Sequence, residues 1–288
     1  MKHLRILAIA AVLLSSICAN AQELVIRIDD MGALHSVNVA SIDAYQNGIA
    51  KSAEVLVVGS WFPEAVKMLK ENPELDVGVH LAITSEWENV KWRPLTDCPS
   101  LVDENGYFFP MMGPNDAYPG QSVMENKHKF DIKEIEQEFR AQIELALKNI
   151  PNLTHISGHM MSTGYDAEVN ALVQRLSKEY NLPSVDRFEA FEQYNFSYIG
   201  YDGPKATLEE KTESFIRTLR KLEKGKRYMF VDHAAYNDSE MQTVMHIGYE
   251  DVAVDRQGVT DLLKSPEVMK VIQELGINLI DIKTLTKQ

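Results

Sequence analysis

Residues that bind metals or move protons recur in this chain at the ends of separate apolar runs. Leu24-Val25-Ile26-Arg27-Ile28 leads into Asp29-Asp30, and Asp76-Val77-Gly78-Val79 leads to His80. Leu153-Thr154-His155-Ile156-Ser157-Gly158 leads to His159, and Arg227 to Val231 runs into Asp232-His233. A lone histidine at such a place is usually an ordinary hydrogen-bonded residue. Four such ends weigh more, because parallel α/β folds bring the C-terminal ends of their strands to one face. The neighbouring carboxylates Asp29 and Asp30 repel each other unless positive charge, typically a metal, offsets them. One carboxylate with two imidazoles, leaving positions for water and substrate, makes a catalytic divalent-metal site, and the second carboxylate is then free as a base. Such a donor set suits Zn²⁺ best, with Mg²⁺, Ni²⁺ and Co²⁺ as alternatives.

The elements that must position these groups alternate. Strand patterns start near residues 24, 53, 76, 153, 184, 227 and 277, and helix-like apolar spacing fills most gaps, as in Ile132, Ile135, Phe139, Ile143 and Leu147. This rhythm predicts parallel strands with right-handed crossovers, and seven of them favour a barrel over an open sheet. Three stretches break it. Residues 84–130 are rich in Pro, Gly, Asn, Asp and aromatics, and predict a long functional loop whose rings either stack on sugars or pack onto the barrel. Residues 188–205 read as irregular, and a second polar loop spans 234–250. The expectation is a single α/β domain over 22–288 with a long inserted loop.

Residues 1–21 have the form of a secretory signal peptide: Lys2 and Arg5, an apolar core from Ile6 to Leu14, and a small-x-small end at Ala19-Asn20-Ala21. Ile17 before Cys18 disfavours a lipoprotein anchor, so the protein is expected to be secreted across the inner membrane into the periplasm, with no membrane span in the mature chain. Cleavage removes Lys2 and Arg5 but no acid, taking the net charge from −13 to −15. A surface this acidic argues against nucleic acid and polyanionic substrates. Only Cys98 survives cleavage, so the mature chain forms no internal disulfide.

Taken in order, Ile28-Asp29-Asp30-Met31-Gly32, Val77-Gly78-Val79-His80-Leu81, Arg93-Pro94-Leu95, Thr154-His155-Ile156-Ser157-Gly158-His159 and Asp232-His233 resemble the motifs of the YdjC-like carbohydrate deacetylases. The resemblance covers essentially the whole mature chain. It implies a distorted (β/α) barrel, an N-acetylated sugar or oligosaccharide as substrate, and one divalent metal ion. It also implies Asp30, His80 and His159 as ligands, Asp29 as general base, and His233 as the donor that protonates the leaving amine or steadies the oxyanion. Arg27, Arg93, His155, Arg187 and Asp232 are the candidate substrate-binding residues, and Arg27 has the strand parity to pair with Asp29. Asp186 with Arg187 reads either as part of the site or as an ordinary ion pair. The chain departs from the family pattern at Arg27 (often Asn), at Met160-Met161 (often histidines) and at Ala234 (often Pro), which implies an altered substrate pocket. The alternatives are a metal-dependent esterase or phosphoesterase, or a glycan-binding barrel with a degenerate site. The oligomeric state stays open, a homodimer among the options.

Overall fold

The computed structural model describes residues 21–125, 130–186 and 188–287, so nearly all of the expected leader, and Arg187, lie outside the described residues. Seven parallel strands form one sheet. They are β1 (Glu23–Met31), β2 (Ser52–Val55), β3 (Asp76–Leu81), β4 (Leu153–Gly158), β5 (Ser197–Ile199), β6 (Arg227–Asp232) and β7 (Asn278–Ile280). The helices between them are α1 (His35–Gln46), α2 (Phe62–Glu71), α3 (Ile132–Asn149), α4 (Ala167–Tyr180), α5 (Phe188–Tyr194), α6 (Leu208–Leu219), α7 (Val252–Leu263), α8 (Pro266–Leu275) and α9 (Ile282–Leu285). None is long and apolar enough to cross a membrane.

The sheet runs β4-β3-β2-β1-β6-β5. β1 is its hub: β6 pairs with it from Glu23↔Arg227 to Ile28↔Asp232, which leaves the other edge for β7 over Glu23–Val25 and for β2 from Arg27 onward. At the far edge, Ile156 N–H donates to Pro183 and Val185 N–H donates to Ile156. Asp186, next in line, accepts a hydrogen bond from Tyr198 on β5 at the opposite edge. The sheet therefore curls until its edges meet through side chains, as a distorted barrel. One strand differs from expectation. Residues near 184 make a single bridge, Ile156↔Ser184, rather than a strand. The seventh strand is β5, inside the stretch that reads as irregular, where α5 also lies. A three-residue strand offers too short a pattern for alternation to reveal.

Strand parity sorts the sequence into an outside and an inside. On β1, Leu24, Ile26 and Ile28 pack outward with Phe215 of α6, Leu262 of α7 and Val268 of α8. Val77, Val79 and Leu81 of β3 join the cluster that holds Phe139 and Ile143 of α3. The inward set is different. Val25, Met229, Ile280, Ile282 and Leu285 fill one end of the barrel. Above them the inward positions are polar: Arg27, Asp29, Glu54, His80, His155 and Ser157, all buried. Gly78 shares their parity, and a Cβ there would come within 2.2 Å of Glu54 Oε2 and 2.4 Å of His155 Nε2.

The long segment between β3 and α3 packs onto the barrel. Trp92 donates from Nε1 to Thr84 O at 2.6 Å, and Phe108 and Tyr118 are buried. Of the loop's three named rings, none is free in solvent; Trp87, also buried, borders the cleft described next.

Candidate metal centre and catalytic cleft

Two successive residues of a regular strand face opposite sides, yet Asp29 and Asp30 serve one site. The reason is a bulge. The β1–β2 register steps from Ile28↔Ala53 to Met31↔Val55, three residues against two, and Asp30 absorbs the extra one with a left-handed backbone at φ +72°. His80 Nε2 consequently lies 3.6 Å from Asp29 Oδ2 and 3.8 Å from Asp30 Oδ1. Gly32, at φ +97°, then turns the chain so tightly that a Cβ would sit 2.6 Å from Leu56 O.

Asp30, His80 and His159 each direct one ligand atom into a common space, all within 4.8 Å of one another. Each ring is held from behind. His80 Nδ1 is 2.7 Å from Ser157 Oγ, and His159 Nε2 is 2.9 Å from Glu86 Oε2. That leaves His80 Nε2 and His159 Nδ1 toward Asp30, the latter 3.2 Å from Oδ1. Asp30 Oδ1 is buried without a well-formed hydrogen bond. An orphaned buried carboxylate oxygen facing two ring nitrogens fits a divalent cation. The buried acids here favour positive charge at this spot, which the His159 ring itself supplies when no ion is bound. Burial opposes the ionisation of Asp30, but His233, His159 and Arg256 hold its carboxyl well below the usual range. Burial also opposes charge on His159, yet Glu86 and Asp30 push it up to about 10. For His80 burial dominates and pushes it down to about 3, a neutral ring with a lone pair to give.

Asp29 is gripped by Arg27, whose Nε and Nη2 each lie 2.7 Å from one carboxylate oxygen. The same guanidinium reaches Asp186 through Nη1, also at 2.7 Å. Burial nonetheless dominates at Asp29 and raises its pKa above the ordinary carboxylate value against the pull of Arg27, as suits a proton acceptor. On the other side of Asp30, Arg256 donates to Oδ2 at 3.1 Å, and His233 Nε2 lies 3.7 Å from the same atom. Burial lowers the His233 pKa and Asp30 raises it, with the net shift upward.

These groups open into a cleft of about 680 Å³. Trp87, His246, Tyr249 and Arg256 are among its lining residues, with the Arg256 guanidinium 5.1 Å over the Trp87 ring. Met160, Met161, Phe191 and Tyr198 line it as well. Both methionines have left-handed backbones, at φ +48° and +65°, and Met161 is 66 % exposed.

Residues 23–274 match the model of the family described as YdjC-like protein. The chain belongs to the YdjC-like family. Among similar proteins, a carbohydrate deacetylase of Enterococcus faecalis is 27% identical over 275 residues, 92% of this chain and 98% of that one. A carbohydrate deacetylase of Geobacillus stearothermophilus is 27% identical over 267 residues, 91% and 98% of the two chains. A solved Enterococcus faecalis structure, named as a cellobiose-phosphate cleavage protein, shares the fold with a TM-score of 0.72 at 24% identity, covering 93% of this chain and 100% of that one.

In this YdjC-like barrel the structure brings Asp29, Asp30, His80, His159 and His233 together, with Arg27 beside Asp29. Other residues expected at the substrate lie elsewhere. Arg93 turns outward, 4.1 Å over the Tyr107 ring and bonded to Asn105 O. Asp232 has the parity of Tyr228 and Phe230, which face the helices; its Oδ2 accepts from Tyr201, and its Oδ1 stands behind His233, accepting from that residue's backbone N–H at 2.9 Å. His155 is wholly buried beneath the site, against Glu54. Asp186, read either way from sequence, lines the cleft and holds Arg27. Sequence reasoning missed Glu54, Glu86 and Arg256. Glu54 alone left a signal, a single charge inside the strand Ser52-Ala53-Glu54-Val55.

Proposed function

We propose that this chain removes the N-acetyl group of an amino sugar or oligosaccharide, with one divalent ion held by Asp30 Oδ1, His80 Nε2 and His159 Nδ1, Zn²⁺ fitting the donors best. The observation that carries the reading is the convergence of those three atoms from three strand ends, with a buried second carboxylate beside them. Bound there, the ion supplies Lewis acidity, making water a better nucleophile and drawing charge toward an amide oxygen. Asp29 takes the proton of the attacking water, its raised pKa matching that task. Arg27 fixes both oxygens of Asp29, so the base does not rotate. His233, opposite and facing the cleft, gives a proton to the departing amine. Arg256 keeps Asp30 ionised and oriented. The names of the similar deacetylases support the substrate class, and the leader-like sequence of residues 1–21 supports export to the periplasm.

The test is acetate release from acetylated amino sugars. Wild type should release acetate and lose this on chelation. Asp29→Asn, nearly isosteric, should lose at least about 10²-fold in kcat while still binding the metal, the scale of general base catalysis. An Asp29→Asn protein as active as wild type would remove Asp29 from its role.

A further inference from the structure

Beneath the metal centre runs an unbroken line of buried polar groups that the reaction itself does not touch. His80 Nδ1 meets Ser157 Oγ at 2.7 Å, and Ser157 Oγ donates to Glu54 Oε2. Glu54 Oε1 lies 2.6 Å from His155 Nε2, and His155 Nδ1 lies 2.7 Å from Thr154 Oγ1. Thr154 Oγ1 donates to Asp76 Oδ1 at 2.6 Å. Asp76 Oδ2 in turn accepts from Ser52 Oγ and from the backbone N–H of Ile282, at the start of α9.

Counting hydrogens fixes the direction of every link. A hydroxyl has one hydrogen, and an ionised carboxylate only accepts. Ser157 gives its hydrogen to Glu54, so toward His80 it can only accept, and His80 must carry its proton on Nδ1. Thr154 gives its hydrogen to Asp76, so His155 donates to Thr154 from Nδ1 and to Glu54 from Nε2. His155 is thus an imidazolium between two carboxylates, in line with its raised pKa, to which burial is opposed and Glu54 and Asp76 contribute. The donations end at Glu54 from both sides. Its two oxygens are the sink that sets the pattern, and Gly78 leaves the room they occupy.

We infer that Glu54, acting through Ser157, is a positioning residue for the metal centre: it locks His80 as the Nδ1–H tautomer and so keeps the Nε2 lone pair aimed at the metal position. The inference rests on the metal reading proposed above. It assigns a function to a fully buried carboxylate that neither touches substrate nor lines the cleft. In Glu54→Gln, of the same shape, an amide N–H can point at Ser157. The Ser157 hydrogen is then free to turn to His80 Nδ1, and the ring proton moves to Nε2, into the metal position.

Two measurements on the full-length protein test this. In the metal-free protein, ¹⁵N chemical shifts of the His80 ring should report Nδ1–H in wild type and a shift toward Nε2–H in Glu54→Gln. Zn²⁺ affinity by chelator competition should fall about 10–100-fold in Glu54→Gln, the usual range for loss of a partner behind a metal ligand. Ser157→Ala, which keeps the Glu54–His155 pair, should fall similarly, and it carries the test if Glu54→Gln does not fold. Unchanged tautomer and unchanged affinity in whichever of these variants folds would overturn the inference. A wild type that binds no Zn²⁺ would instead sink the metal reading, while the ring shifts would still report whether Glu54 sets the tautomer.

Discussion

Arg27 is the buried cation that ties two site aspartates together. Its guanidinium spans Asp29 and Asp186, and Tyr198 and Gly158 N–H complete the hydrogen bonding of Asp186. Burial opposes charge on Arg27, but the two aspartates raise its pKa well above normal, so it stays ionised throughout. Replacing one partner of a buried ion network leaves the others uncompensated, which costs roughly 3–5 kcal/mol. Arg27→Met should therefore lower the urea unfolding free energy by that amount and shift the midpoint, with the slope unchanged. Arg27→Lys keeps the charge but lacks the fork that holds two oxygens of Asp29 and one of Asp186 at once. Its loss should be smaller in stability than in kcat. A denaturation midpoint for Arg27→Met equal to wild type would show that the network contributes nothing to folding. The parity of Arg27 and Asp29 was legible in the sequence. The third partner was not, since Asp186 sits 159 residues away on the far edge of the curled sheet.

At the scale of elements, α1 and the end of α7 are tied by a half-exposed cluster away from the site. Asp43 of α1 accepts from Lys264 Nζ at 2.6 Å and from the Tyr236 hydroxyl. Burial raises the pKa of Asp43, but these bonds and one from Asn47 outweigh it and hold the carboxyl at about 2. A carboxylate with a depressed folded pKa gives its stabilisation above the unfolded value of about 3.9 and loses it as pH falls toward the folded one. Wild type should then lose about 1 kcal/mol more than Asp43→Asn between pH 5 and pH 2, after allowing for solvent screening. Parallel urea titrations at the two pH values measure the difference; equal losses in both proteins would dismiss the cluster as a source of stability. Element types were readable here because α1, α3 and α7 carry helical apolar spacing. The pairing of Asp43 with Lys264 joins positions 221 residues apart and leaves no mark on that spacing.

At the scale of the whole molecule, the barrel and its strand ends were legible because parallel strands buried on both faces read as apolar runs ending in polar groups. What escaped was the inside. Glu54 and Ser157 share a period-two pattern with His80 and His155, visible once a closed interior is granted but indistinguishable from chance in any single strand. Glu86 comes from the segment after β3 and Arg256 from within α7, so strand parity places neither of them. The bulge that turns Asp30 beside Asp29 is likewise a property of the β1–β2 pairing and not of either strand alone. Because β1 carries Asp30 and pairs with three other strands, occupancy of the centre must couple to the stability of the entire sheet. A ligand that binds only the folded state at 100 times its dissociation constant adds about 2.7 kcal/mol. For a chain of this size that corresponds to a rise of about 5 °C in Tm. Calorimetry with saturating Zn²⁺ and with excess chelator should show that difference in wild type and lose it in His80→Ala, where one donor is gone while Asp30 and His159 remain. The transition should stay a single one, since the three donors stand at the ends of strands of one sheet. A melting temperature indifferent to Zn²⁺ and chelator would mean that the convergence of Asp30, His80 and His159 holds no metal, and with it the proposed hydrolysis would lose its source of Lewis acidity.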